Sequence, residues 1–354
     1  MKALVLSGGS GTRLRPISHS LPKQLVPLAN RPLLAHVLRT IHEVGVTQVG
    51  MVVGDHAVQI QQVLGDGSEH GVAITYLRQD APRGLADAVR VARSYLGADD
   101  FLLHLGDNLF PDGLATAAAE FHSGGAAAHL LVQKVADPRP YGVVELDRMG
   151  RVERLVEKPP QPRSNLALLG ACFLTPAVHA AVDAIRPGRR GELELTDALQ
   201  WLVDTGTTVR ASEYTGYWRD LAGSDDVLAA NRRLLESITP HRGGDIDAFS
   251  ALGPRVRVEP GARIIRSYLA GPAVVGAGTV IEDSHVDAYT SIGRDCVVRG
   301  SEVANSVVMD GAEIRGVSRL TDSVLGRDAV IERGERRFGH RIVAGDHGRI
   351  EVPW

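Results

Sequence analysis

The chain of 354 residues has little cysteine: Cys172 and Cys296 are its only two. Two thiols make no disulfide scaffold and fit a reducing compartment. Neither has a histidine partner in the sequence, which argues against a thiol nucleophile. Charge of one sign is also missing. The net charge is −3 with no long run of either sign, so nothing marks a surface for nucleic acid or acidic lipid. No apolar stretch approaches the roughly 20 residues that cross a bilayer, and the N-terminus reads as a strand rather than a secretory signal. These absences predict a cytoplasmic protein with neither nucleic acid nor membrane as partner. The 13 histidines show no metal-ligand spacing. His36 and His42 share one predicted helix but stand at neither i,i+3 nor i,i+4, so they face different ways. Lysine is scarce as well, with Lys2, Lys23, Lys134 and Lys158 the only four. Each is therefore a place where arginine, abundant elsewhere, does not stand.

What is present begins with the apolar run Ala3-Leu4-Val5-Leu6, which reads as a buried strand. It runs into Gly8-Gly9-Ser10-Gly11-Thr12-Arg13. Glycines let the backbone approach a phosphate, and successive N–H groups there form an anion-binding nest. No Gly-Lys-Ser/Thr follows, so the loop is not a Walker motif, and GxGxxG is absent too. Over residues 1–235 short apolar strands alternate with amphipathic helices. The predicted strands are 2–6, 48–53, 73–77, 101–105, 129–135, 142–146, 167–174 and 208–213. The predicted helices are 33–44, 56–64, 84–96, 114–121, 177–185, 195–204 and 224–237. Such alternation predicts an α/β fold with a mostly parallel, Rossmann-like sheet, whose ligands sit beyond the carboxyl ends of strands. The Gly8–Arg13 loop and Asp107 both fall there.

Residues 255–331 follow another period. Val274, Val280, Val286, Ile292 and Val298 recur every six residues, with small partners at Gly278, Ser284, Thr290 and Cys296. The frame resumes at Val308, Ile314 and Leu320. A hexapeptide period predicts a parallel β-helix, here of about four coils, whose corners take small side chains. The expected division is therefore a catalytic domain over 1–238, a linker over 239–254, and a β-helix with a C-terminal tail over 255–354.

The string from Gly8 to Leu34 closely resembles the signature of sugar-1-phosphate nucleotidylyltransferases, the glucose-1-phosphate thymidylyltransferases above all. Further motifs follow in the same order: Gln79 with Gly84-Leu85-Ala86, Leu105-Gly106-Asp107-Asn108, Tyr141–Glu145, Val156-Glu157-Lys158-Pro159, Arg190–Asp197 and Tyr217-Trp218-Arg219-Asp220. The added β-helix is similar to the long form of that family, and implies a left-handed β-helix. The resemblance implies attack by a sugar-phosphate oxygen on the α-phosphorus of a nucleoside triphosphate, with pyrophosphate expelled. It gives Arg13, Lys23, Asp107 and Lys158 the catalytic roles. Gly8, Gly9, Gly11, Thr12, Arg13, Gln79 and Gly84 would bind the nucleotide. Asn108, Gly142, Glu157, Lys158, Gly170, Cys172 and Trp218 would bind the sugar phosphate. Asp107 and Asp220 would hold Mg²⁺, the implied cofactor. The family also implies a homo-oligomer, dimer or tetramer.

The physical case agrees with these roles. Both reactants are anions, so positioning and charge neutralisation carry the chemistry. Arginine offers a bidentate fork and lysine a compact point charge. Carboxylates are hard oxygen ligands for Mg²⁺. Two positions leave the family pattern. Leu221-Ala222 stands where Thr-Gly is usual, and Cys172 where tyrosine is frequent. Both are expected to bear on the acceptor and to favour a less polar one. Alternatives within the class are a cyclitol-1-phosphate guanylyltransferase and a uridylyltransferase. Outside it stand a non-catalytic subunit that keeps the fold, and an acyltransferase using His285 in the repeat.

Overall fold

The computed structural model describes residues 1–9 and 11–334. Ser10 and the tail 335–354 lie outside the described residues. Contacts divide the chain into two units, Met1–Gly9 with Leu34–Asp220, and Ser10–Leu33 with Leu221–Trp354. The division expected from sequence is different: here the loop segment and the helix after Asp220 group with the C-terminal half.

The first unit is built on a nine-stranded sheet. Lys2–Ser7 lies parallel between Gln48–Val53 and Phe101–Leu105, and Ala73–Arg78 adds to Gln48–Val53 in parallel. Ala3, Leu4 and Val5 are fully buried, as a central strand covered on both faces requires. On the other side the sheet turns antiparallel. Leu166–Leu174 opposes Phe101–Leu105, Ala128–Lys134 and Gly142–Leu146. The sheet is thus mixed rather than mostly parallel. One of these antiparallel pairings has a local reason: Gly142–Leu146 and Val152–Glu157 are joined by a short turn, a connection too short for a parallel crossover. Val152–Glu157 escapes sequence reading because a register shift between Val152 and Arg154 breaks the two-residue alternation. The predicted helix 84–96 is two pieces, Leu85–Val91 and Arg93–Leu96. Helix Leu195–Asp204 buries Leu195, Ala198, Leu199 and Leu202, one apolar stripe of a helix against a sheet.

Among its described residues the second unit contains three parallel sheets of six, six and five short strands, consistent with the left-handed β-helix expected. Val256 pairs with Ala273 and Ala273 with Thr290, a step of 17 residues per coil. Val258, Val275 and Ile292 stack inward, fully buried. The small corner residues have a reason. Ser267 Oγ accepts the backbone N–H of Ser284, and Ser284 Oγ accepts that of Ser301, so each hydroxyl satisfies the next coil. Residues 239–254 are not a linker. His241–Arg242, Asp245–Ile246 and Ala251–Leu252 pair with the following coil and form the first turn of the helix. The array is accordingly longer than the four coils expected. Within this unit the hairpin after Lys23 is anchored by buried Asn231: its Oδ1 accepts from Ala29 N and from Ser291 Oγ. Asn30 Nδ2 donates to Ile292 O at 2.6 Å. Among the described residues no helix is long and apolar enough to cross a membrane.

Candidate active site

In the first unit, Gly8 and Gly9 are exposed at the carboxyl end of the strand Lys2–Ser7. Gln79 follows the strand Ala73–Arg78. A Cβ placed on Gly8 would lie 3.7 Å from Gln79 Oε1, so the amide borders the loop. Gly84 has φ +108°, and a Cβ there would stand 2.3 Å from Leu193 O. Only glycine lets the start of the helix Leu85–Val91 close on that backbone.

Asp107 and Asn108 follow the strand Phe101–Leu105. Asn108 is buried and joins three elements. Its Nδ2 donates to Asp107 Oδ1 at 2.9 Å, and its Oδ1 accepts from Trp218 Nε1 at 2.6 Å. Gly170 makes room for it, since a Cβ there would lie 2.4 Å from the Asn108 amide. Tyr141 meets the Trp218 ring edge-on at 5.3 Å. The two-stranded ribbon of Arg219–Asp220 with Asn108–Leu109 sets Asp220 opposite Asn108. The second aspartate is thereby placed one residue along from Asp107. Behind them His104 is fully buried, and burial pushes its imidazole down to about 4.

Gly142 lies opposite Glu157 across an antiparallel pair. A Cβ on Gly142 would meet Thr196 Cγ2 at 2.7 Å and Glu157 Oε2 at 3.4 Å. Thr196 Oγ1 donates to Glu157 Oε2 at 3.2 Å. Arg190 reaches Glu157 Oε1 at 3.5 Å while donating to Glu194. Burial holds Glu194 and Asp197 above the usual carboxylate range, for Glu194 against the pull of the Arg190 hydrogen bond. Lys158 has φ +40°, an uncommon conformation for a side-chain-bearing residue. Successive residues of a strand point to opposite faces. The turn at Lys158 instead brings its Nζ to 3.6 Å from Glu157 Oε1, so cation and carboxylate share one place.

The loop belonging to the second unit carries the other candidates. Gly11 has φ +58°, and a Cβ on it would lie 3.2 Å from Lys23 Cβ. Its carbonyl accepts from Ser18 Oγ and from Leu14 N. Glycine here is what lets the stem of Lys23 lie against the loop. Thr12 and Arg13 begin a short 3₁₀ turn, and both are exposed.

Among the described residues no group of three His, Cys, Asp or Glu side chains gathers to hold a metal ion. Asp107 and Asp220 offer two hard carboxylates on adjoining positions. That donor set fits Mg²⁺, which takes one or two carboxylates and fills its shell with phosphate oxygens and water.

A family model described as Nucleotidyl transferase matches residues 2–237. The chain belongs to the nucleotidyl transferase family. This transferase is 46% identical over 353 residues to a glucose-1-phosphate thymidylyltransferase of Streptomyces griseus, covering 99% of both chains. It is 37% identical over 357 residues to a low-salt glycan biosynthesis nucleotidyltransferase of Haloferax volcanii, covering 99% of this chain and 100% of the relative. A solved Bacillus anthracis chain named as a glucose-1-phosphate thymidylyltransferase is similar with a TM-score of 0.63 at 31% identity. The match covers 68% of this chain and 98% of that one.

Asp107, Asn108, Gly170, Trp218 and Asp220 form one connected set, Gly142, Glu157 and Lys158 a second, and Gly8, Gln79 and Gly84 a third. Cys172 does not join them. It lies in the apolar cluster with Leu103 and Leu130, 2% exposed, and burial raises its thiol to about 12. Its strand carries Cys172 into the core instead of presenting it to a ligand. Leu221 is fully buried too. At Cys172 and Leu221 the departures from the family pattern are therefore changes in packing, and the less polar acceptor drawn from them has no support in the surroundings of these two side chains. Sequence reasoning gave no role to Thr196 or Arg190, which hold Glu157, nor to Asp87, which holds Gln79. Thr196 and Arg190 stand inside a motif already recognised. Asp87 follows directly on Gly84-Leu85-Ala86.

Proposed function

We propose that this transferase condenses dTTP with glucose 1-phosphate, giving dTDP-glucose and pyrophosphate. The observation that carries the reading is full-length similarity to the Streptomyces griseus enzyme, 46% identical over 99% of each chain. The site residues support it. A phosphate oxygen of the sugar attacks the α-phosphorus; the new P–O bond forms as the bond to the β-phosphate oxygen breaks, and pyrophosphate leaves. The nucleophile is already ionised, so no general base is needed. Lys158 takes the sugar phosphate and holds it in line. Glu157, oriented by Thr196 and Arg190, accepts from sugar hydroxyls, with Gly142 and Asn108 beside it. Arg13 takes the terminal phosphates in a fork, and Lys23 supplies a point charge to phosphate oxygens. The amides of Gly8, Gly9, Gly11 and Thr12 serve as anion donors. Gln79 and Gly84 meet the base. Asp107 and Asp220 would hold Mg²⁺, which supplies charge neutralisation between phosphates. The proposal extends to a cytoplasmic homo-oligomer, dimer or tetramer, which light scattering would test by mass.

The test is pyrophosphate release over a grid of dTTP, UTP, GTP and ATP against several sugar and cyclitol 1-phosphates. The pair dTTP and glucose 1-phosphate is expected to give the highest kcat/KM. A higher value for GTP with a cyclitol phosphate would replace this reading.

A further inference from the structure

The candidate base-binding amide has an orientation set by chemistry alone. Gln79 Nε2 donates to Asp87 Oδ2 at 2.8 Å and more weakly to Gly84 O at 3.4 Å. Asp87 sits in the helix Leu85–Val91, 1% exposed, and its other oxygen accepts from the Arg90 guanidinium. A carboxylate accepts and does not donate, and so does a carbonyl. Both neighbours therefore require the NH₂ end of Gln79. A flipped amide would set Oε1 against buried Asp87 Oδ2, two acceptors in contact, which is unfavourable. Gln79 Oε1 is left as the outward end, next to Gly8 at the edge of the loop.

We propose that Asp87 is a positioning residue for nucleotide choice: by fixing the Gln79 amide it makes that residue an obligatory acceptor toward the base. This rests on Gln79 meeting the base as proposed above. An acceptor at that point suits a pyrimidine whose N3 carries hydrogen, as in thymine and uracil. It rejects cytosine, whose N3 is itself an acceptor. A site built around one hydrogen-bond polarity discriminates strongly, because the wrong base leaves a desolvated group unpaired.

Arg90 makes the idea sharply testable. Guanidinium is donor-only. In Asp87→Asn, the new carbonyl oxygen must stay with Arg90, which turns the new NH₂ toward Gln79. Gln79 then turns Oε1 toward the new NH₂ and Nε2 to the base, giving up only the long 3.4 Å contact with Gly84 O, so the polarity reverses. The measurement is kcat/KM for dTTP and dCTP at saturating glucose 1-phosphate, on the full chain, by pyrophosphate release. The dTTP-over-dCTP preference is expected to fall about tenfold to a hundredfold, with the KM for glucose 1-phosphate unchanged. Asp87→Asn combined with Arg90→Leu frees the new amide to turn, and the preference should return toward the native value. Asp87→Ala, which removes the clamp without reversing it, gives a smaller fall and carries the test if the Asn variant is insoluble. Gln79→Ala separates the role of Gln79 at the base from that of Asp87 behind it. If it erases the preference while Asp87→Asn and Asp87→Ala leave it intact, the role of Asp87 is refuted. If Gln79→Ala also leaves it intact, the placement of Gln79 at the base fails, and this inference with it.

Discussion

Replacing Gly170 with alanine should disable the site through one atom. The added Cβ would lie 2.4 Å from the Asn108 amide, where ordinary contact begins at 3.4 Å. Something must move by about 1 Å, a misplacement that costs on the order of a hundredfold when it reaches reacting groups. Asn108 is buried, with Asp107 on one side and Trp218 on the other, so any retreat strains both hydrogen bonds. One is neutral, worth about 1 kcal/mol, and one involves a carboxylate, worth about 2 kcal/mol. Their joint loss sets an upper bound of roughly 3 kcal/mol, or about two orders of magnitude in kcat/KM. The assay is steady-state pyrophosphate release with dTTP and glucose 1-phosphate, with circular dichroism to confirm the fold. Asn108→Ala should show a comparable loss, and the double variant little more than either single one, because both act on one side chain. A folded Gly170→Ala enzyme within threefold of native kcat/KM would show that the Asn108 pocket does not govern the site, as would full additivity of the two losses.

Other outcomes follow from the same structure. Lys158→Ala should raise the KM for glucose 1-phosphate far more than that for dTTP; equal effects would remove it from the sugar-phosphate end. Asp107→Asn or Asp220→Asn should abolish magnesium-dependent turnover, read as loss of response in a Mg²⁺ titration, and an unaltered titration would take that residue out of the metal site. His104 is held neutral down to about 4 against an ordinary 6.5. Between those values the unfolded chain binds a proton that the folded chain refuses, so stability should fall as pH drops from 6.5 to 4, by ~3 kcal/mol. Urea midpoints across that range measure it, and His104→Gln should flatten the slope. Burial raises the thiols of Cys172 and Cys296 to about 12 and about 11. The native protein should therefore resist a thiol reagent that labels both cysteines in denaturant.

The hexapeptide period at Val274–Val298 announced the β-helix because a stacked coil repeats its inward position at fixed spacing, whatever else varies. The first coil escaped notice because His241–Arg242 and Asp245–Ile246 are polar, with little apolar period to read. The strand Val152–Glu157 was hidden by its register shift. The antiparallel run of Leu166–Leu174 was hidden because a buried apolar strand reads the same in either direction. The site was legible wherever one residue carries its own chemistry, as Lys158 and Asp107 do. It was illegible where function lies in an orientation, as with Thr196 and Arg190 around Glu157 or Asp87 behind Gln79. Such partners are ordinary polar residues until the fold shows what they touch. Cys172 is the converse: a residue conspicuous in sequence whose strand buries it in the core.

The products of the reaction identify it without reference to any relative. Purified chain incubated with dTTP, glucose 1-phosphate and Mg²⁺ should yield dTDP-glucose and pyrophosphate in equal amounts, resolved by mass spectrometry. Adding pyrophosphate to dTDP-glucose should regenerate both substrates. Absence of the sugar nucleotide in both directions, or its formation only from another base or another sugar phosphate, would show that this chain is not a glucose-1-phosphate thymidylyltransferase.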